Sequence, residues 1–501
     1  MSPFLLLFGA VGLSRAGALD ALPSLSGPGV GQGPTVAIPA GDLNGDGLGD
    51  LVVGVPGDDG GAGHESGAVY LVLDVASLAP FTPLTEVGVP LRGETAQAYA
   101  GSDLAALGDT NGDGLDDVAI GAPEASIDGK PAVGKVYVLS GGDAPSVETS
   151  LGELPYVHGV EEWGRLGARV YTTGDVNSDG RADLAVGAPY PTPSGDLGVG
   201  YAALMLTPEG GFSGTTRVNV EYSPSGTPET TADEVWLVFD SGTLFGRALA
   251  VLPDVNGDAR PEWLIAAPGV GARDEVPPPP ADTGRYGGAG GVNGHSTGSV
   301  YLFAGRTRTE RQDAPFVTAE DALGEISGVG FEELAWVIVP TPSGGALLAA
   351  PESERVYHFT TLTGSQTSDD AVGVLRGFDT QLTGWGLALW DDAEPAVLLS
   401  EPGHLGGVGR VALLPLPVGE MSAQDDAIGL LDGCQPEGLA GASVRAASFP
   451  DPRGDDRPWA VITAPRASAR AWQDGLVYIL PADTDAWDAA CGEVLYPEVE
   501  D

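Results

Sequence analysis

Basic residues are scarce in this sequence. It contains 23 Lys and Arg against 70 Asp and Glu, which gives 501 residues a formal net charge of −47. A field of that sign repels nucleic acid and anionic membrane surfaces, so we expect no nucleic-acid partner. The five histidines are scattered, without the paired spacing of a zinc site or a catalytic triad. We therefore predict no catalytic residues and no enzymatic activity.

Long hydrophobic runs are also missing, and no stretch reaches the roughly 18 apolar residues of a membrane-spanning helix. The apolar run at residues 4–13 is shorter, and small residues at 16–18 fit a cleavage site. We predict a signal peptide over residues 1–18 and a protein that is secreted, on the cell surface or in the periplasm. A buried first strand is the alternative, because no Lys or Arg precedes the run.

Cysteine is nearly absent. The two that occur, Cys434 and Cys491, are compatible with one disulfide in an oxidising compartment. We expect this bridge to tie the C-terminal tail, an acidic segment over residues 485–501, to the last repeat.

Glycine and proline, in contrast, are abundant, with 77 and 41 copies, which favours short strands joined by tight turns over long helices. An apolar run that ends in proline recurs at intervals of roughly 50–80 residues, about the length of a four-stranded sheet. These prolines are Pro56, Pro123, Pro189, Pro268, Pro351, Pro402 and Pro465. The seven copies predict an all-β fold, a seven-bladed β-propeller of four-stranded antiparallel blades over residues 22–484.

Several repeats end with an outer strand in which an apolar residue stands two places before a glycine. The same pattern occurs near the N-terminus. Leu25 and Gly27 match it ahead of the first repeat. We predict that this N-terminal outer strand completes the last blade and removes two exposed edges. Residues 213–234 and 269–298 interrupt the repeats, and their Ser, Pro and Gly content predicts surface insertions.

Acidic nine-residue loops precede the proline signature in the first four repeats. Side-chain oxygens at positions 1, 3, 5 and 9, with the carbonyl of position 7, can surround Ca²⁺, and Gly at position 6 permits a sharp turn. One such loop could be only an Asx-rich turn, but three in register with the repeat predict three calcium sites. The predicted ligands are Asp42, Asn44, Asp46, Leu48 and Asp50; Asp109, Asn111, Asp113, Leu115 and Asp117; and Asp175, Asn177, Asp179, Arg181 and Asp183.

The fourth loop keeps the oxygens but has Ala259 at position 6 and a longer acid at position 9. We predict weaker binding there, by Asp254, Asn256, Asp258, Arg260 and Glu262. Ca²⁺ is favoured over Mg²⁺ because the loop is flexible, and over Zn²⁺ because it contains no His or Cys.

These loops, with the Gly-Ala-Pro endings at 121–123 and 187–189, resemble FG-GAP repeats, which form the propeller of integrin α subunits and occur in many bacterial surface proteins. The resemblance implies a seven-bladed propeller, Ca²⁺ in the bottom-face loops, and a protein or glycan ligand on the opposite face. It favours a binding or adhesion module. The alternatives are an assembly subunit of a cell-envelope complex and a calcium-dependent hydrolase.

Residues 294–298 satisfy Gly-x-Ser-x-Gly, the nucleophile motif of α/β-hydrolases. That motif needs a helix after the serine, and here a strand-like segment, residues 299–303, follows. We therefore reject a catalytic role for Ser296.

Overall fold

Seven five-stranded β-sheets form the blades in the described residues, and the prediction of a seven-bladed propeller is confirmed. The computed structural model describes residues 17–18, 23–29, 31–189, 200–217, 220–221, 229–230, 232–237, 244–269, 297–329, 332–377, 383–390, 395–403, 408–433, 439–447, 459–466 and 475–480. Cys434, Cys491, His295, Ser296, the acidic tail and most of the segment 269–298 lie outside them.

Each blade contains four antiparallel strands, named here inner, second, third and outer strand from the channel outwards. The inner strands of blades one to seven are Val36–Gly41, Leu104–Gly108, Arg169–Thr172, Leu249–Leu252, Ile338–Pro340, Leu387–Trp390 and Ser443–Ala447. The second strands are Asp50–Val55, Asp117–Ala122, Leu184–Ala188, Glu262–Ala267, Ala346–Ala350, Ala396–Glu401 and Trp459–Ala464. The third strands are Ala68–Val72, Lys135–Leu139, Tyr201–Met205, Ser299–Phe303, Arg355–Phe359, Arg410–Pro415 and Leu476–Leu480. The outer strands are Val89–Arg92, Tyr156–His158, Glu234–Leu237, Gly324–Ser327, Gly373–Arg376, Gly429–Asp432 and Ser24–Ser26.

A fifth strand extends every blade beyond the four that the sequence predicts. It is short, pairs in parallel with the outer strand, and in most blades comes from the connection between the third and outer strands of the next blade. The fifth strands of blades one to seven are Thr149–Ser150, Thr215–Arg217, Phe316–Thr318, Gly364–Thr367, Gly419–Ser422, Gly17–Ala18 and Thr82–Pro83. Each blade edge is thus covered by its neighbour, which limits edge-to-edge association.

The N-terminal strand lies in the last blade. Ser24–Ser26 pairs antiparallel with Leu476–Leu480, and Leu25 is opposite Val477. Leu25 is fully buried in a cluster that also contains Val53 of blade one and Trp459 of blade seven. The first and last blades therefore share a hydrophobic core across the point where the ring closes.

Apolar side chains lie between the blades rather than in one central core. Within the described residues, a buried cluster occupies each of the seven interfaces between neighbouring blades. The second and third strands are buried on both faces, which explains their continuous runs of Val, Ile, Leu and Ala. A 501-residue chain can bury its apolar surface in this way because each repeat uses its neighbours as the other half of its core.

Glycines of the repeat signature set the distance between the first blades. A Cβ on Gly54 would lie 2.2 Å from the carbonyl oxygen of Gly101 in the next blade, and a Cβ on Gly121 would lie 2.2 Å from that of Gly167. Gly101 and Gly167 both have φ of +84°, a conformation that side chains disfavour. Both glycines of each pair are therefore needed for this close approach.

Helices are short in the described residues. The α-helices are Leu84–Val87, Arg308–Asp313 and Ala423–Asp426, and the 3₁₀ turns are Val75–Ser77, Gly141–Asp143, Leu151–Glu153, Ala319–Asp321, Pro351–Ser353 and Ser368–Asp370. None of these helices has the length and apolarity needed to cross a membrane. The predicted insertion 213–234 contains the fifth strand of blade two and a small antiparallel strand pair, Val220–Glu221 with Glu229–Thr230. Its last residue begins the outer strand of blade three.

Candidate metal loops

The four acidic loops lie at one end of the propeller. Each loop connects the inner strand of its blade to the second strand. All inner strands run in the same direction along the channel, and each of the first four ends at its acidic loop. Because the topology repeats, corresponding residues of the four loops occupy equivalent places around the ring. The fold thus brings four sets of oxygen side chains to the same face.

Within a loop, the first aspartate organises the backbone. Oδ1 of Asp42 accepts a hydrogen bond from the backbone N–H of Gly45 at 2.6 Å, and Oδ2 accepts one from Gly47 at 2.9 Å. The other first-position aspartates, Asp109, Asp175 and Asp254, accept the N–H of position 6 in the same way, at 2.7–2.9 Å. The carboxylates therefore fold the loop as an Asx-type turn does, and the predicted ligand residues are held in place without a cation.

Two backbone positions in each loop require a left-handed conformation. Position 6 has φ of +83° at Gly47 and +66° at Ala259, and position 4 has φ of +80° at Gly45 and +61° at Ser178. The sequence motif identifies the need for Gly at position 6, whereas the need at position 4 appears only in the structure. Ala259 and Ser178 hold a conformation that costs a non-glycine residue roughly 1–2 kcal/mol.

The acid at position 9 is buried in every loop. Asp50, Asp117, Asp183 and Glu262 are each 0% exposed and stand at or just before the second strand, where the backbone N–H of position 2 donates to them. Burial raises the pKa of Asp50 to about 7, an effect that the hydrogen bond from Leu43 opposes and that the charges of Asp46 and Asp42 increase. Burial likewise raises the pKa of Asp183 to about 6.

The second oxygen of this acid differs between loops. Oδ1 of Asp117 accepts the N–H of Gly141 at 2.8 Å, and Oδ1 of Asp183 accepts that of Thr207 at 2.7 Å. Oδ1 of Asp50 is buried without a hydrogen-bond partner among the described residues. A buried, unsatisfied carboxylate oxygen is costly, and a hard cation beside it would satisfy the oxygen and favour its ionised form. The first loop therefore fits a cation well.

The fourth loop brings its carboxylates closest together. Carboxylate oxygens of three acids lie within 4.8 Å of one another, one each from Asp254, Asp258 and Glu262. In the described part of the chain, this is the one cluster of three potential metal-binding side chains at such distances. The longer side chain of Glu262 reaches into the loop, where Oε1 accepts a hydrogen bond from Nδ2 of Asn256 at 2.7 Å. The sequence leads us to expect the weakest site here, but the geometry assembles its oxygens as a site would need.

The sequence predicts the arginines at position 7 as carbonyl ligands only, but their side chains also contact the loops. Nη1 of Arg181 lies 3.4 Å from Oδ2 of Asp179, and Nη1 of Arg260 lies 3.6 Å from Oδ2 of Asp258. Each guanidinium partly neutralises the acid at position 5, so it competes with a cation for that carboxylate. The first two loops have Leu at this position and lack this competition.

A contact between two loops also appears only in the structure. Asp116 stands at position 8 of the second loop, and its Oδ2 accepts the backbone N–H of Asp42 at 3.0 Å, while its own N–H donates to the carbonyl oxygen of Asp42 at 3.2 Å. The first and second loops are therefore linked by one backbone–backbone hydrogen bond and one backbone–carboxylate hydrogen bond.

Known proteins share the repeats that contain the first three acidic loops. The FG-GAP repeat family matches residues 35–72, 100–139 and 168–205, which include the first three loops. Integrin alpha-PS2 of Drosophila melanogaster is 36% identical over 232 residues, 45% of this chain and 14% of that protein. Integrin alpha-5 of Xenopus laevis is 29% identical over 238 residues, 47% of this chain and 20% of that protein.

Human integrin alpha-IIb is 32% identical over 183 residues, 36% of this chain and 16% of that protein. These matches thus span only a fifth or less of each relative. A crystal structure of BBS1N in complex with ARL6DN covers 90% of this chain at 11% identity, with a TM-score of 0.42 that is too low to support an inference. The chain thus carries FG-GAP repeats in its first three blades, and it is similar in sequence to integrin α subunits.

Proposed function

We propose that this protein is an extracellular, calcium-binding β-propeller that acts as a binding or adhesion module, with a protein or glycan ligand on the face opposite the acidic loops. The observation that carries the proposal is the set of four like-folded acidic loops on one face, three of them within the segments that match FG-GAP repeats. Such loops occupy one end of the ring and leave the other end available for a ligand.

Calcium has a structural role in this proposal. The side chains at positions 1, 3, 5 and 9 and the carbonyl at position 7 would hold the ion, which supplies positive charge to a closely packed group of acids. The unsatisfied Oδ1 of Asp50 and the converging oxygens of Asp254, Asp258 and Glu262 support this assignment. We propose four sites, with the arginines at position 7 weakening the third and fourth.

Secretion and a disulfide between Cys434 and Cys491 belong to the same proposal. The described strand Gly17–Ala18 pairs with Leu431 and Asp432 of blade six. Cleavage after Ala18 would remove this short fifth strand from the mature protein, whereas the outer strand Ser24–Ser26 would remain. N-terminal sequencing of the exported protein distinguishes cleavage at this position from retention of the strand.

A binding screen tests the function. The purified protein is applied to a glycan array and to a panel of extracellular proteins, with millimolar Ca²⁺ in one arm and EDTA in the other. We expect saturable binding to a defined ligand that requires Ca²⁺. A stoichiometric complex recovered from the native cell envelope without such a ligand would favour the assembly role, and turnover in a hydrolase screen would contradict the binding function.

A further inference from the structure

The inner strands of all seven blades line a central channel of about 920 Å³. The acidic loops follow the ends of the inner strands, so the starts of these strands mark the opposite end of the channel. In the described lining, the charged residues lie between that end and the middle of the strands: Asp103 directly precedes one inner strand, Arg169 begins another, Arg247 lies two residues before a third, and Arg445 is the middle residue of a fourth.

This end of the channel is positive in a strongly negative protein. Three arginines and one aspartate are the charged residues in the described lining, whereas the whole chain carries a net charge of −47. The four residues come from blades two, three, four and seven, so the ring has to close before they meet. A concave site lined by one sign of charge and low-dielectric walls concentrates ions of the opposite sign.

Tyr171 lines the same channel, and its hydroxyl donates a hydrogen bond to the carbonyl oxygen of Arg247 at 2.9 Å. Burial raises the pKa of Tyr171, and the charges of Arg169, Arg247 and Arg445 oppose this rise while Asp103 adds to it. The three arginines therefore share both the channel lining and an electrostatic effect on Tyr171. The negative charge of Asp103 is partly engaged, because its Oδ2 accepts the backbone N–H of Val170 at 3.0 Å.

Arg445 has unused hydrogen-bonding capacity. Within the described residues, its guanidinium donates one hydrogen bond, from Nη1 to the carbonyl oxygen of Val444 at 3.1 Å, although the group has five N–H donors. Burial lowers the pKa of Arg445, the charge of Asp103 opposes this, and the like charge of Arg169 adds to it. The environment therefore compensates the Arg445 charge incompletely.

Two indoles extend this donor-rich region. The rings of Trp336 and Trp385 lie 5.5 Å apart, and Cζ of Arg247 lies 4.3 Å from the ring centroid of Trp336. Nε1 of Trp336 is buried without a hydrogen-bond partner among the described residues. Guanidinium and indole N–H groups only donate, so the missing partner of this region is an acceptor.

We propose that this end of the channel binds an anionic ligand through a carboxylate or sulfate group, held by the guanidinium groups of Arg169, Arg247 and Arg445. Carboxylate and sulfate oxygens are pure acceptors, and a planar guanidinium engages them with two parallel hydrogen bonds. The inference deepens the proposed function and rests on it for the choice of the ligand-binding face. It also excludes a cationic group from this part of the channel.

Calorimetric titration of the full chain with succinate and with sulfate tests the inference, in millimolar Ca²⁺ and at constant ionic strength. Arg445→Gln should weaken succinate binding roughly ten- to hundredfold, as expected for losing a hydrogen bond to a charged group. Arg376→Gln, at a half-exposed arginine outside the channel, is the matched control and should bind like the wild type. Melting curves show whether each variant is folded, and Arg169→Gln replaces Arg445→Gln if the latter is not.

A short acidic peptide in a parallel titration identifies the source of the anion. Binding of succinate indicates a free small anion, and binding of the peptide alone indicates an acidic side chain of a protein ligand; both support the carboxylate chemistry. No binding of any probe to the wild type, equal binding by all variants, or tighter binding of an arginine ester than of succinate would overturn it. If the anions fail to bind while Ca²⁺-dependent ligand binding persists in the screen, only the channel inference is wrong.

Discussion

At the scale of single residues, the acidic loops combine two opposing features. Their carboxylates accept backbone N–H groups and so shape the loop, but several of these acids lie close together and one at each site is fully buried. Like charges at such distances repel one another, and burial penalises the ionised form. The loops are therefore preorganised but electrostatically unfavourable without a cation.

This arrangement predicts how Ca²⁺ affects stability. A ligand that binds only the folded state adds about 2.7 kcal/mol per site at a hundredfold excess over its Kd. Millimolar Ca²⁺ should raise the melting temperature above that in EDTA, and Asp46→Ala or Asp113→Ala should each reduce the difference. Asp425→Ala, at an exposed aspartate of blade six, is the control and should leave it unchanged. Identical melting curves with Ca²⁺ and EDTA would contradict calcium binding.

The backbone at position 6 gives a second test. A Cβ on Gly114 would meet nothing within 4 Å, so Gly114→Ala changes only the cost of a φ of +87°. It should lower the free energy of unfolding by roughly 1–2 kcal/mol. Ala259→Gly makes the reverse change at φ of +66° and should raise the free energy of unfolding by a similar amount.

Denaturant unfolding in EDTA measures both variants without the contribution of bound cation. Opposite signs for the two substitutions are the expected result. If both destabilise the protein, then the left-handed backbone is not what distinguishes these positions.

At the scale of elements, strands from distant parts of the chain complete one another's sheets. Ser24–Ser26 is the outer strand of blade seven, and Thr82–Pro83 of blade one pairs in parallel with it. The last blade thus contains strands from both ends of the propeller sequence and one from its neighbour. Disruption of this small strand should affect the whole ring, because it removes the shared core of two blades.

Leu25→Ala tests this contribution. Leu25 is fully buried between blades seven and one, and we expect a loss of about 2–5 kcal/mol in the free energy of unfolding. Leu323→Ala, at a leucine that is 37% exposed, is the control and should cost about 0.5 kcal/mol. Equal effects of the two substitutions in denaturant unfolding would show that the N-terminal strand contributes little to closure.

At the scale of the whole molecule, the net charge of −47 opposes the folded state. Folding brings these charges together, and salt screens them, since the Debye length falls from about 30 Å at 0.01 M to about 8 Å at 0.15 M. In EDTA, we therefore expect the melting temperature to rise when NaCl is increased over this range. The increment due to Ca²⁺ should persist at the higher salt, because close ligands in partly buried sites are screened less.

Two results would contradict this account. A melting temperature in EDTA that does not change with salt would show that the charges are too dispersed to repel one another strongly. A calcium increment that disappears at the higher salt would show that Ca²⁺ acts as a general counterion and not at specific sites.

The sequence by itself determined the features that are local and repeated. The seven proline-terminated strands give the number of blades, and the spacing of Asp and Asn gives the four loops, because a strand and a nine-residue turn depend mainly on contacts within one repeat. Gly at position 6 is predictable for the same reason. The place of Leu25 in the last blade also follows from the repeat pattern. Leu25 matches the outer-strand pattern but precedes the first repeat, and in a closed ring such a strand can only complete the last blade.

Only the tertiary structure decided the features that join separate repeats. The fifth strands are two to four residues long and leave no periodic pattern, so only their pairing reveals them. The unequal surroundings of Asp50 and Asp117 depend on which backbone N–H of a neighbouring segment reaches each acid. Arg169, Arg247 and Arg445 are far apart along the chain and meet only because the ring closes, which is why no sequence motif indicates the positive end of the channel.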